Sequence, residues 1–242
     1  FLCAMVNVEN YRKENKYSRA HVHFKAGGDK GFRPHEPIEV EHGYKKVMLN
    51  NVARALLPMF GFTEVPTMDE TKALQFQYTP RESLDLYRAT GQMATYRPNE
   101  AAIEWANEHF SDSPFVITLR EAKHWPQRNS KVDEWIRFAK TLPGRVIFLR
   151  DTVKAHEPIE GFETCPEASI DIHKRMALYN KARMNFSVCN GPIMLAAFTD
   201  YIPYIYLLTP AEGYWPYEPS WQKEIIGLEG QYPWHDPAKQ RV

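Results

Sequence analysis

A turn in the second half of the sequence carries residues that suit an anionic ligand. Asn190, Gly191 and Pro192 follow the apolar segment 186–189 and precede the apolar segment 193–198. A glycine lets the backbone approach a ligand closely, and a proline fits the first turn of a helix. N–H groups at a helix start bind phosphate, so the turn is a candidate diphosphate site. The alternative is that Asn-Gly-Pro serves only the geometry of the turn.

Arginines stand at a similar position earlier in the chain. Arg120 directly follows the apolar run 115–119, and Arg128, Asn129 and Ser130 precede the next helical pattern. A guanidinium binds phosphate through two parallel hydrogen bonds, so these residues are candidates for the same anion. For Ser130 the favoured alternative is an N-terminal cap of the helix that follows.

Acidic residues at neighbouring strand ends leave other interpretations open. Glu121 follows Arg120, and Asp151 lies just beyond the apolar run 145–149. A salt bridge with either carboxylate is the structural alternative to a ligand role for Arg120. Asp151 is a candidate for holding Arg120 or for binding a ribose hydroxyl, and a plain turn residue is an equal alternative.

Two loops offer further candidates. Glu212 lies shortly after the apolar run 204–208, where a carboxylate suits sugar hydroxyls and neighbouring aromatic rings suit a base. The favoured alternative is an aromatic loop packed on the protein's own surface. In the first half, Asp29 and His35 lie on a glycine-containing loop, and either side chain suits a base that activates an acceptor hydroxyl. A solvated surface loop is the alternative there.

Composition and motifs exclude several classes of protein. The 30 Lys+Arg balance 30 Asp+Glu, which argues against a uniformly basic nucleic-acid binder. No run approaches the roughly 20 apolar residues of a membrane span. Three cysteines without a CxxC pair argue against a disulfide framework or structural zinc, so we expect a reducing, cytoplasmic location. His21 and His23 share one strand face without an evident third ligand, so we expect no metal site. Walker A, GxGxxG and GxSxG motifs are absent.

Strand and helix patterns alternate along the chain. Strands are predicted at 20–26, 74–78, 115–119, 145–149, 186–189 and 204–208, and helices at 44–60, 80–88, 99–110, 130–142, 171–184 and 193–198. This alternation implies an α/β fold with mainly parallel, doubly wound sheets. In such sheets ligands bind outside the carboxyl ends of the strands, where several of the candidates lie. We place the border between two α/β units near residue 98. Because the sequence begins inside a predicted helix, we expect a chain truncated at its ends.

The second half resembles a known family. The segments FVITLRE, RNS, RVIFLRDT and ALYNKARMNFSVCNGPIMLAAFTDYIPYIYLL resemble the nucleotide-sugar half of GT-B glycosyltransferases, most closely the heptosyltransferase-like group, over residues 113–210. The resemblance implies two Rossmann-like units, residues 1–98 on the acceptor side and 99–242 on the nucleotide-sugar side. It also implies donor contacts from Arg120, Arg128 and the turn 190–192. Where the group has Asp-Thr/Ser-Gly-Pro-Met-His, segment 189–194 reads CNGPIM, which lacks the acidic residue, the hydroxyl and the histidine.

The expected function is therefore glycosyl transfer of the hexosyl or heptosyl class. A sugar would pass from a nucleotide-diphosphate donor to a saccharide or other hydroxyl acceptor, with Asp29 or His35 assisting the acceptor. No cofactor is expected, and no DxD motif indicates a metal. The alternatives are a sugar-nucleotide epimerase on the same fold and a non-catalytic sugar-nucleotide-binding protein. We expect no nucleic-acid partner and no transmembrane segment; peripheral membrane contact stays open. Positive charge is concentrated in residues 1–60 and 111–154, each with a net charge of +4, which suits an anionic ligand between them.

Overall fold

A six-stranded parallel sheet forms the centre of the protein. The computed structural model describes residues 2–24, 46–69, 74, 80–123, 125–208 and 218–241. The strands in these ranges are β1 (His21–Val22), β2 (Thr63–Glu64), β3 (Phe115–Thr118), β4 (Val146–Leu149), β5 (Glu163–Thr164), β6 (Met184–Val188), β7 (Tyr204–Leu207) and β8 (Gln240–Arg241). β1 and β2 pair in parallel as a separate small sheet, and the other six make up the large sheet.

The order of strands in the large sheet is β5-β4-β3-β6-β7-β8, and every neighbouring pair is parallel. Counted along the chain, this order is 3-2-1-4-5-6, the order of the doubly wound Rossmann fold. The predicted α/β class with a mainly parallel sheet is confirmed. The predicted division into two Rossmann-like units near residue 98 stays a prediction.

Helices lie on both faces of the large sheet. They are α1 (Leu2–Glu14), α2 (Arg54–Phe60), α3 (Arg81–Thr90), α4 (Glu100–His109), α5 (Val132–Ala139), α6 (Pro166–Ile170), α7 (Ile172–Lys181), α8 (Met194–Ala197) and α9 (Pro219–Trp221). A π-helical turn, Leu49–Ala53, precedes α2, and another, Gln222–Ile226, follows α9. α2 ends at Gly61, whose φ of 70° is the left-handed C-cap conformation that the sequence predicts there. No helix in the described part of the chain is long and apolar enough to cross a membrane.

Two apolar clusters cover the two faces of the sheet because successive strand residues point to opposite sides. On one face, which we call the α5 face, Ile117, Phe148 and Phe186 pack against α5 through Trp135. On the other, the α7 face, strand residues pack against α7, α8 and the apolar residues of α1 to α4. Among the described residues, α1 to α4 therefore join the core on the α7 face.

Hydrogen bonds fix the first half against the second. The hydroxyl of Tyr96 donates to the carbonyl oxygen of Leu195 at 2.9 Å. Nη2 of Arg88 donates to the carbonyl oxygen of Gly227 at 2.6 Å, which holds α3 beside the C-terminal segment. The first contact places the short helix α8 against the N-terminal half, and the second does the same for the C-terminal segment.

Candidate functional site

The ends of β3 and β6 mark the place where the direction of chain winding reverses. β3 and β6 are adjacent, with Thr118 opposite Ser187. From β3 the chain proceeds to β4 and β5 on one side, and from β6 it proceeds to β7 and β8 on the other. In doubly wound sheets the crevice outside the carboxyl ends of two such strands is the usual ligand site. The predicted turn 190–192 follows β6, and the predicted arginines follow β3, so both lie at this crevice.

The segment after β3, described at residues 121–123 and 125–129, is closed on itself by Arg120. We call these residues the β3–α5 loop. Arg120 is buried, and its Nη1 donates to the carbonyl oxygen of Trp125 at 2.9 Å and to Oδ1 of Asn129. Backbone bonds close the loop as well, since the N–H of Ser130 donates to the Arg120 carbonyl oxygen at 2.8 Å. A buried guanidinium requires such acceptors, and here the loop itself supplies them.

The favoured prediction for Ser130, an N-terminal helix cap, is wrong. Lys131 occupies the N-cap position of α5, and no side chain there accepts a helical N–H. The Ser130 hydroxyl oxygen instead accepts the backbone N–H of Arg120 at 2.9 Å. The residue therefore closes the β3–α5 loop rather than starting the helix.

Arg128 connects the β3–α5 loop to the turn after β6. Its Nη2 donates to the carbonyl oxygen of Cys189 at 3.3 Å. Arg128 ends the 3-10 turn Pro126–Arg128 and is half-buried. This bond brings together two of the predicted groups, the basic loop and the Asn-Gly-Pro turn, across the crevice between β3 and β6.

The side chain of Asn190 is used within its own turn. Its Oδ1 accepts the N–H of Ile193 at 3.1 Å, and its Nδ2 donates to the hydroxyl oxygen of Ser187 at 3.0 Å. The helix that follows, α8, has only four residues, so its dipole is small. The turn geometry that was the alternative for Asn190 is therefore present, and ligand contact at this turn would come from its backbone.

Gly191 is exposed and, among the described residues, faces open space. Its φ lies outside the left-handed region, and a Cβ placed on it would meet no heavy atom of those residues within 4 Å. The packing of the described residues therefore does not require a glycine here. A close-approaching ligand is a reason for a glycine at such a position.

The neighbouring strand end, after β4, carries a buried ion pair. Arg150 donates from Nε and Nη2 to the two carboxylate oxygens of Glu121 at 3.0 and 2.5 Å, and Lys154 lies 3.5 Å from the same carboxylate. Burial raises the pKa of Glu121, but the bonds and charge of Arg150 outweigh it and the net pKa is lowered. The partner of Glu121 identified here is thus Arg150, which the sequence analysis does not single out.

Asp151 supports the start of the β3–α5 loop. Its Oδ2 accepts the N–H of Glu121 at 2.6 Å. Burial raises its pKa, while this hydrogen bond and the charges of Arg175 and Arg120 act in the opposite direction. The carboxylate therefore lies close enough to Arg120 to interact electrostatically, and its oxygen anchors the backbone between β3 and the loop.

An apolar groove of about 630 Å³ lies beside the loop on the α5 face. It is lined by apolar side chains of α5, β6 and β7, namely Trp135, Phe138, Phe186, Val188, Ile205 and Leu207. Gln127, Asn129 and Lys131 stand at its polar rim and belong to the β3–α5 loop or its end. The volume falls within the range of small-molecule sites.

Three predicted residues, Asp29, His35 and Glu212, lie outside the described residues, so their roles stay predictions. Of the two histidines considered for a metal, His21 has Nδ1 2.6 Å from the hydroxyl oxygen of Thr63. Within the described ranges, no group of three or more His, Cys, Asp and Glu side chains is placed to hold a metal ion.

Two relationships at the site are not predicted by the sequence analysis. One is the bond from Arg128 to Cys189, and the other is the closure of the β3–α5 loop by Arg120. The spacing of Arg120 and Asn129, nine residues apart and bracketing a proline, is the only sequence signal for that closure. Comparison of the chain with protein-family models, with curated proteins and with solved structures found no match.

Proposed function

We propose that the chain binds the diphosphate of a nucleotide sugar at the crevice between β3 and β6 and transfers the sugar to an acceptor hydroxyl. The observation that carries the proposal is the bond from Arg128 to the Cys189 carbonyl oxygen. It brings a guanidinium to the start of the turn that contains the exposed Gly191. In a doubly wound sheet, phosphorylated ligands bind at this position.

In this proposal Arg128 and the backbone at Gly191 stabilise charge on the diphosphate as the bond to the sugar breaks. Fixed donors aimed at developing charge are an effective form of catalysis. The acceptor hydroxyl loses its proton to Asp29 or His35, the two candidates for a general base. The apolar groove beside Gln127 and Asn129 offers a surface for the flat face of a nucleobase.

The first test is binding. We expect one or more of ADP, GDP, UDP and CDP to raise the melting temperature, because a ligand that binds only the folded state stabilises it. Arg128→Gln should weaken calorimetric binding of the same nucleotide about tenfold or more. Arg137→Gln is the matched control, because Arg137 is an exposed arginine of α5 that pairs with Glu134. Equal affinities of wild type and Arg128→Gln would refute the assignment of the site.

A second candidate is a sugar-nucleotide-binding protein without transferase activity. Two observations favour it: both polar ends of the Asn190 side chain are used inside the turn, and α8 has four residues. Such a turn provides little extra stabilisation of a departing diphosphate. Measurable nucleotide binding without donor hydrolysis or transfer to any acceptor would select this candidate over the transferase.

A further inference from the structure

We infer that Arg120 is a positioning residue, which holds the β3–α5 loop so that Arg128 meets the ligand, rather than a ligand contact. The effect of Arg120 on ligand binding rests on the proposed function, but its role in ordering the loop is independent of any ligand. The sequence analysis places Arg120 among the donor-binding residues, and the structure gives its guanidinium other partners.

The two hydrogen bonds from Nη1 of Arg120 described above both end on residues of the loop. Nη1 donates to acceptors five and nine residues further along the chain, the Trp125 carbonyl oxygen and the Asn129 Oδ1. The Asn129 side chain also donates from Nδ2 to the carbonyl oxygen of Ala122 at 2.9 Å. The Asn129 side chain thus forms hydrogen bonds with both the Arg120 guanidinium and the start of the loop. With Arg120 only 7% exposed, little of its surface remains for a ligand.

The loop contains a residue in an unfavourable backbone conformation. Trp125 has φ 53° and ψ 62°, the left-handed region that a bulky side chain rarely adopts. Such a conformation persists only where the surroundings determine it. Here the Trp125 carbonyl oxygen accepts Nη1 of Arg120 and also the N–H of Arg128 at 3.1 Å. The Arg120 guanidinium therefore helps to hold the backbone of Trp125 in its left-handed conformation.

Arg128 depends on this arrangement for its position. It ends the 3-10 turn that starts directly after Trp125, and the N–H of Asn129 closes that turn on the Pro126 carbonyl oxygen at 2.9 Å. From there its Nη2 reaches the Cys189 carbonyl oxygen. Loss of the Arg120 contacts would free the turn and so displace the guanidinium that the proposed function places at the diphosphate.

Hydrogen exchange of the protein without nucleotide tests the structural part. In Arg120→Gln we expect the amides of Arg128, Asn129 and Ser130 to lose protection about tenfold, since the bond network that orders them is broken. Asn129→Ala should give the same loss with no change in charge. Gln127→Ala, an exposed change within the same loop, should leave protection unchanged. Wild-type protection of these amides in both Arg120→Gln and Asn129→Ala would overturn the inference.

Binding of the nucleoside diphosphate that stabilises the wild type tests the consequence. A positioning role predicts that Arg120→Lys, which keeps the charge but not the planar fork, weakens binding about tenfold, as Arg120→Gln does. A direct charge contact predicts that Arg120→Lys binds like the wild type with loop protection intact, and that result would refute positioning. Absence of nucleotide binding by the wild type would refute the proposed function alone, because the exchange experiment needs no ligand. If Arg120→Gln fails to fold, Asn129→Ala provides the same comparison.

Discussion

The hydroxyl of Tyr204 lies 2.7 Å from Nε2 of His235, in the part of the core where the C-terminal segment meets β7. The same Nε2 donates to the carbonyl oxygen of Ala197 at 3.1 Å, at the end of α8. His235 therefore joins three parts of the fold, and one of them is the helix that follows the candidate turn. Burial lowers the pKa of His235 to about 4, an effect that the bond to Ala197 only partly opposes.

The neutral state of His235 should make stability depend on pH. Its pKa is lower in the folded state than the ordinary value of 6.5, so the unfolded chain takes up the proton first as the pH falls. Its contribution is therefore complete above pH 6.5 and is lost progressively down to about pH 4, on the order of 3 kcal/mol in total.

Urea unfolding at pH 7.5, 6.0 and 5.0 measures this dependence. In His235→Gln the free energy of unfolding should change less over this range than in the wild type, because the titrating group is gone. His109→Gln, at an exposed histidine near the end of α4, should keep the wild-type dependence. If the free energy of unfolding changes with pH equally in the wild type and in His235→Gln, His235 is not the source of the pH dependence.

The pair of Arg150 and Glu121 should be a larger source of stability than the surface ion pairs. Their side chains are 9% and 6% exposed, so removal of Arg150 leaves the buried Glu121 carboxylate with the longer, 3.5 Å contact to the more exposed Lys154 in place of two short hydrogen bonds. We expect Arg150→Ala to lower the free energy of unfolding by about 3 to 5 kcal/mol. Arg137→Ala removes an arginine that is 65% exposed and should cost less than about 1 kcal/mol. Denaturant unfolding of the two variants measures the difference, and similar costs would show that the buried pair is not important.

Asn99 should stabilise the protein through the start of α4. Its Oδ1 accepts the N–H of Ala102 at 2.9 Å, which satisfies one of the N–H groups that a helix start leaves unpaired. Asn99→Ala should lower the free energy of unfolding by about 1 kcal/mol, while Asn99→Ser should keep most of it. Asn107→Ala, an exposed change later in the same helix, should not destabilise the protein. An Asn99→Ala variant as stable as the wild type in thermal unfolding would exclude the cap as a source of stability.

The sequence predicts the inner strands well because burial on both faces leaves a clear pattern. β3 and β4 are buried at every position and apolar except at Thr118, and both fall within the predicted runs 115–119 and 145–149. The edge strands β5 and β8 are not predicted. Each has two residues, mainly polar, and each exists because a neighbouring strand offers it backbone bonds. Pairing of that kind depends on tertiary structure, which a local pattern does not contain.

The candidate site was predictable in place but not in detail. Arg120 and the turn 190–192 stand at strand ends in the sequence, and the strand order brings those ends together. The partner of each polar group was not predictable, because it depends on how a loop folds back. Ser130 illustrates this: its sequence context suits a helix cap, yet its hydroxyl accepts the N–H of Arg120 ten residues earlier. Local propensity was overridden by closure of the loop.

Gly191 offers a test that separates ligand binding from folding. A Cβ at this position meets no heavy atom within 4 Å in the part of the chain that the structure describes, and the backbone is not in the left-handed region. Gly191→Ala should therefore leave the melting temperature within about 2 °C of the wild type, or raise it slightly by restricting the unfolded chain. If a diphosphate approaches the backbone here, the added methyl group should weaken nucleoside diphosphate binding about tenfold, and Gly191→Val should weaken it more.

The control for this prediction is another glycine in open space. Gly144 also has no heavy atom of the described ranges within 4 Å of its Cβ position, but its φ of 129° makes any side chain strained. Gly144→Ala should thus lower stability, by roughly 1 kcal/mol, and leave nucleotide affinity unchanged, because the residue precedes β4 at the opposite end of the sheet. Calorimetric titration and thermal unfolding of Gly191→Ala and Gly144→Ala test both expectations. Gly191→Ala should lose nucleotide affinity and keep its stability, and Gly144→Ala should lose stability and keep its nucleotide affinity. Unchanged affinity in Gly191→Ala and Gly191→Val would mean that no ligand approaches this turn, because the added carbon atoms would block any ligand that contacts the Gly191 backbone.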